Sequence, residues 1–179
     1  PEDILKGQSV AGLVRSQYAS ADEEFAQTAI LAGRSGDLSA LVSYSRRDFK
    51  ELDNQGTNDG LGANRTIPNP QDGHSNAATA RIVWDPAGGH KLRLTGEYLD
   101  NRLVTDLLSG LSASVDNLVA RDTGKRWRVA GDWIWEGDGA LELARISAYW
   151  QSAKDRQFTQ EDRTPLADRT RLNTFDNRV

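Results

Sequence analysis

Along 91–100 the side chains alternate strictly: Leu92, Leu94, Gly96 and Tyr98 fall on one side, Lys91, Arg93, Thr95 and Glu97 on the other. A period of two is the spacing of a strand whose two faces meet different surroundings. The pattern recurs in 126–136, where Trp127, Val129, Gly131, Trp133 and Trp135 oppose Arg126, Arg128, Ala130 and Asp132. In 39–50, Ala40, Val42 and Tyr44 oppose Ser39, Ser43 and Ser45, with Leu41 breaking the polar side. Ala78, Ala80, Ile82 and Trp84 oppose Thr79 and Arg81, and Ala144, Ile146, Ala148 and Trp150 oppose Arg145, Ser147 and Gln151. Eight strands are expected, at roughly 9–19, 23–33, 38–52, 73–84, 90–105, 125–136, 140–158 and 168–179. The leucine spacing of 104–111 suits either strand or a short helix within a loop.

Turn-forming clusters of Gly, Pro and Asp occur at 33–37, 85–90 and 136–140, each able to supply the backbone angles of a short reversal. Between them lie two long polar stretches, 51–73 and 106–125, rich in Asn, Asp, Gly, Ser and Thr. Short and long connections are therefore expected to alternate, with tight turns at one end of the sheet and long loops at the other. That asymmetry belongs to outer-membrane barrels. Strands such as 141–156 also exceed the ~5–6 residues usual in soluble sheets. Trp84 and Trp135 sit beside tight turns, where an interfacial aromatic belt would place them. A soluble or surface β-sandwich that binds a partner is the alternative, and it would pair strand faces across a dry core.

Composition changes the picture little, because a barrel hides its membrane. Hydrophobic residues make up 37%, charged residues 27%, and mean hydropathy is −0.62. In a barrel only alternate strand residues meet lipid, and the external loops are polar. No run of ~18 apolar residues encodes a membrane helix. The net charge of −4 and the scatter of cations among carboxylates argue against a nucleic-acid partner. There is no Cys, which removes disulfides, iron–sulfur sites and thiolate zinc sites. Arg81, Arg93, Glu97, Arg126, Arg128, Asp132 and Arg145 share the face opposite the apolar one. A sealed apolar core would penalise so many charges heavily, whereas a water-filled lumen or a solvated face holds them.

Candidate chemistry is sparse. Of two histidines, His74 falls at a loop-to-strand junction and is the one candidate ligand-binding residue. His90 closes the turn at 85–90, on the wrong side for capture. Tyr can ligate haem iron, but Tyr44 and Tyr98 lie on the face assigned to lipid. Asp53, Asn54, Asn58 and Asp59 offer oxygens suited to calcium, at a spacing that misses the helix–loop–helix pattern. Gly60-Leu61-Gly62 lacks the remainder of a phosphate loop, and neither GxSxG nor HExxH occurs. No catalytic residue and no metal site is expected.

The run VSYSRRDFKELDNQG (42–56), continued by NDGLGANRTIPNPQDGHS (58–75), resembles the early barrel region of TonB-dependent receptors of the haemoglobin/transferrin/lactoferrin, or haem-uptake, type. WDP (84–86), HKLRLTGEYLDN (90–101) and TDLLSG (105–110) are similar to the next hairpin and loop of that family, and PEDIL (1–5) to the linker leaving its plug domain. The resemblance is clear over 1–110 and weak beyond. It implies an all-β, antiparallel up-and-down transmembrane β-barrel segment, about eight strands of a barrel of about 22. Residues 1–179 would be a partial barrel domain, without the plug and the later strands. It further implies a bacterial outer-membrane transporter with haem, or a haem-carrier protein, as its external partner. TonB would couple through the missing plug. Haem would be cargo and not a cofactor of this segment, since the family's ligating histidines lie in motifs this chain does not carry.

Overall fold

A computed structural model describes residues 1–139 and 141–179. Eight strands form one antiparallel sheet in chain order: β1 (Val10–Ala19), β2 (Glu24–Ser35), β3 (Leu38–Lys50), β4 (Gln71–Trp84), β5 (His90–Asp106), β6 (Asn117–Glu136), β7 (Leu143–Asp162) and β8 (Arg169–Arg178). Each strand pairs with its chain neighbours only, so the up-and-down topology expected from the sequence holds. The sheet is open. β1 and β8 are its edges, and β8 pairs only with the part of β7 from Ser152 to Glu161. Among the described residues no second sheet packs on either face, so the sandwich arrangement is not formed.

Registers decide which side chains share a face. Val42, Ala80, Gly96, Val129 and Trp150 form one cross-strand row. The row nearer the short turns is Ala40, Ile82, Leu94, Gly131 and Ala148, and the next is Leu38, Trp84, Leu92, Trp133 and Ile146. On the other face, Ser43, Thr79, Glu97, Arg128 and Gln151 are in register, as are Val83, Arg93, Asp132 and Ser147. The two-faced reading of β3 to β7 is therefore correct. The polar face is also the more enclosed. Ala32, Ser39, Thr95, Thr105, Glu24 and Glu161 are all buried, and all lie on it. Large apolar side chains are instead left open on the opposite face, Leu94 at 53% and Trp127 at 54%. Burial is inverted relative to a water-soluble sheet.

Several boundaries differ from expectation: β4 starts at Gln71 and not 73, and β7 runs Leu143–Asp162 and not 140–158. β6 begins at Asn117, well before 125, because Asn117–Gly124 pairs residue for residue with Asp155–Asp162. Long-range pairing overrides the polar composition that made this stretch read as loop. The 104–111 segment divides, with 104–106 ending β5 and Leu108–Gly110 forming a single 3₁₀ turn. The alternation of connection lengths is not strict. At the long-loop rim 51–70 is long, but 20–23 and 163–168 are short. There the strands lengthen instead, β6 and β7 reaching 20 residues each. At the opposite rim the reversals are tight, as expected: Gly36 at φ 57° and Gly88 and Gly89 at φ 88° and 74° supply the left-handed angles. The third of these turns includes Ala140, which lies outside the described residues.

A short helix, α1 (Glu2–Leu5), precedes β1 at the short-turn rim. Leu5 is buried beneath it, and Glu2 reaches Arg34 on the polar face at 3.2 Å. The chain thus joins the sheet from its enclosed side.

Candidate functional site

On the outward face, the rows from Leu38–Trp84–Leu92–Trp133 to Tyr44–Ala78–Tyr98–Trp127 carry no charge. The next row is Arg46, Asn76, Asp100, Lys125 and Lys154. The change from apolar to ionic occurs within one step on β3, β5 and β6, while β4 passes from Ala78 to Asn76 and β7 from Ser152 to Lys154. From Trp135 to Trp127, β6 runs the ~9–11 residues a tilted strand needs to cross a hydrocarbon layer. Aromatic side chains mark both borders: Trp84, Trp133 and Trp135 near the turns, and Tyr44, Tyr98 and Trp127 below the charges. Tyr98 packs on Trp127 with ring centroids 4.2 Å apart, and the Tyr44 hydroxyl donates to Asn76 Oδ1 at 2.7 Å. An apolar body with a polar end directed at the ionic row is how such residues sit at an interface.

The polar face is laced by side-chain pairs, although Arg128 Nε is buried without a hydrogen-bond partner. Thr28 and Ser45 hydroxyls are 2.8 Å apart, Arg145 and Ser147 both donate to Asp132 Oδ1 at 2.8 and 2.7 Å, and Arg128 lies 3.6 Å from Glu97. Arg128 also sits over the Tyr149 ring at 5.2 Å. These pairs are part-exposed, so each contributes little to stability, ~0–1 kcal/mol. Their consequence is a wettable wall, not a glued core.

Toward the long-loop rim the polar face deepens into a groove of about 730 Å³, lined by Arg47, Phe49, Asn101, Asp122, Asp155 and Gln157 among others. Phe49 covers Gly73, where an added Cβ would lie 2.5 Å from the ring. Ser75 donates to Asn101 Oδ1 at 2.6 Å, and Arg47 pairs with Glu24. With carboxylates, amides and one aromatic, the groove offers hydrogen bonds and a stacking surface. Among the described residues its lining presents no nucleophile paired with a base.

The long loop 51–70 is built by its own polar side chains. Asn54 accepts from Gly56 N–H at 2.7 Å and donates to Thr66 O at 3.0 Å, while Asn58 accepts from Gly60 N–H and donates to Asn64 O. These asparagines act as turn builders, which accounts for the oxygen-rich composition without a cation. Among the described residues no group of three or more His, Asp or Glu is placed to hold a metal ion. Asn69 clasps Ser109 through both its side-chain atoms at 2.9 Å, and Gly62 N–H donates to Leu108 O, so the two loops form one rim. Glu51 accepts the Gln71 N–H at 2.8 Å, and this bond holds its carboxyl below the usual carboxylate range.

His74 lies inside β4, not at its junction, because β4 starts at Gln71. Its row contains Asp48 and Arg102, on the outward face above the aromatic border; Arg102 also borders the groove, whereas His74 does not line it. His90 opens β5 and stacks on Trp133 at 5.9 Å, at the short-turn rim. The groove residues were not singled out from sequence. Extending the same odd–even alternation past the aromatic border would have assigned them to the polar face, but their convergence needs the register of five strands. No protein-family model matches the chain, and no curated protein matches it in sequence.

Proposed function

We propose that this chain is a segment of a bacterial outer-membrane barrel, from a TonB-dependent receptor that takes up haem or haem-protein iron. It serves binding and transport and performs no catalysis. One observation carries the membrane part: an uncharged outward band bordered by aromatics on both sides, backed by a charged, enclosed face. Water would penalise that band as an exposed apolar patch. Lipid reverses the penalty. The open edges fit a sheet whose barrel is closed by further strands, since unpaired backbone is not tolerated in hydrocarbon. The family and the cargo rest on the resemblance of 42–75 and 84–110. Haem or its carrier would be received at the long-loop rim, TonB would couple through a plug in the lumen, and the entry of α1 on the polar side fits a linker arriving from there.

The test is fractionation of cells producing the intact receptor. Recovery with the outer membrane, soluble only in detergent, is expected. Folded protein in the periplasmic soluble fraction would overturn the membrane reading. Haem binding by the intact receptor should survive His74→Ala, because His74 faces away from the groove; loss of binding with the barrel still folded would contradict this.

A further inference from the structure

The most deeply buried large side chain among the described residues is not in the sheet. Leu5 of α1 is 1% exposed, and Ala32 of β2, at the same value, is the buried apolar residue of the strands. α1 packs on β1 and β2, whose pairing sets Ala32 beside Ala11 on the inward face. A helix of four residues does not persist in water by itself. The wall therefore holds α1 in shape, and Leu5 is the residue through which it does so.

The rest of the segment is tied down on both sides of Leu5. Upstream, Ile4 and Leu5 N–H donate to Pro1 O at 3.0 Å, and Glu2 meets Arg34 at 3.2 Å. Downstream, Gln8 N–H returns to Leu5 O at 2.8 Å, and Arg34 N–H donates to Ser9 O at 2.8 Å, adding a rung to the β1–β2 ladder. Between them Lys6 and Gly7 turn the chain with φ of 47° and 86°. A lysine stays in the left-handed region only where its surroundings fix it. Glu2 and Asp3 also share a cleft of about 220 Å³ with Arg34, Arg81 and Arg93. Arg81 and Arg93 have no acidic partner within 4 Å among the described residues, so the cleft favours an acidic segment.

We propose that α1 is a fixed anchor for the linker from the plug. It stays docked on the β1–β2 wall while the plug is displaced during transport, so the pull ends at Glu2 and Leu5 and is not passed into β1. The proposal rests on the receptor reading above, which supplies the plug and the pull. Its own ground is the burial of Leu5, the ion pair of Glu2 and the fixed turn at Lys6–Gly7.

The test uses the intact receptor in living cells, free of other Cys and carrying Leu5→Cys or Asp3→Cys, with a maleimide that enters the periplasm. Labelling is followed with haem supplied, with TonB present and with TonB deleted. Asp3 is exposed, so Asp3→Cys should label freely in both. Leu5→Cys should label about tenfold more slowly or less in both, because a docked segment opens rarely. A rise of Leu5→Cys labelling toward the Asp3→Cys rate when TonB acts would overturn the anchor, as would fast labelling without TonB. A second variant does not depend on burial. Glu2→Cys with Arg34→Cys, joined by a short bifunctional thiol reagent in place of the ion pair, should import haem at the wild-type rate. Heat-dependent mobility on gels reports whether that barrel is folded. Haem binding without import by the folded, cross-linked receptor would overturn the proposal. A receptor in the outer membrane that neither binds nor imports haem before cross-linking would sink the cargo reading instead, and the TonB dependence of Leu5→Cys labelling would still decide the anchor.

Discussion

Gly89 shows how much one residue at the short-turn rim carries. Its φ of 74° is the left-handed region, and an added Cβ would lie 2.0 Å from the Glu136 carbonyl oxygen, which accepts no such approach. Gly89→Ala should lower folding stability by ~2 kcal/mol or more, measured by urea unfolding of the receptor in lipid vesicles. Gly96 is its control, in extended strand with open space around the added Cβ, and Gly96→Ala should stay within ~0.5 kcal/mol. Glu51 supplies a pH-dependent contact at the other rim. Its carboxyl is lowered from 4.5 by the Gln71 N–H. A carboxyl lowered on folding contributes stability that is fully present above its unfolded value and lost as pH falls through the folded one. Amide exchange at Gln71, corrected for its intrinsic pH dependence, should therefore speed up below about pH 4, and Glu51→Gln should abolish that pH dependence. Unchanged protection down to pH 3 would contradict the contact.

At the scale of the strand, parity is the governing variable. Val129 and Ala130 are adjacent in β6 but belong to opposite faces. Val129→Arg should cost ~2–4 kcal/mol, the cost of a cation on a lipid face near mid-depth. Ala130→Arg, on the wettable wall, should cost less than ~1 kcal/mol, both measured as folding free energies in vesicles. Equal costs would show that the faces are not differently solvated. Strand existence and facing were legible in the sequence because a period of two survives in 39–50, 78–84, 91–98 and 126–135. The start of β6 was not, since Asn117–Gly124 is held in the sheet by β7 and not by its own composition. The groove was illegible for a related reason: Arg47, Asn101, Asp122 and Asp155 come from four strands, and only their registers bring them together. His74 read as a loop-edge residue because its neighbours Asp72 and Gly73 look like turn, whereas pairing to Lys50 and Phe49 draws them into β4.

At the scale of the whole molecule, the fold has an outside made of Leu, Val, Trp and Tyr and an inside made of Ser, Thr, Arg and Asp. Buried apolar side chains are few, with Leu5 and Ala32 each at 1% exposure. The usual source of stability, apolar area removed from water, is therefore not supplied by the sheet packing on itself. A bilayer around the band would supply it, and the two aromatic borders state how thick that bilayer is expected to be. The absence of native Cys makes the claim directly measurable. Single cysteines placed in turn from Arg126 to Trp133 of the intact receptor would be spin-labelled in lipid vesicles and their collision rates read with oxygen and with a water-soluble nickel chelate. The account predicts strict alternation, with oxygen favoured at 127, 129, 131 and 133 and nickel favoured at 126, 128, 130 and 132. Uniform nickel access along the strand, or alternation with the opposite parity, would contradict it.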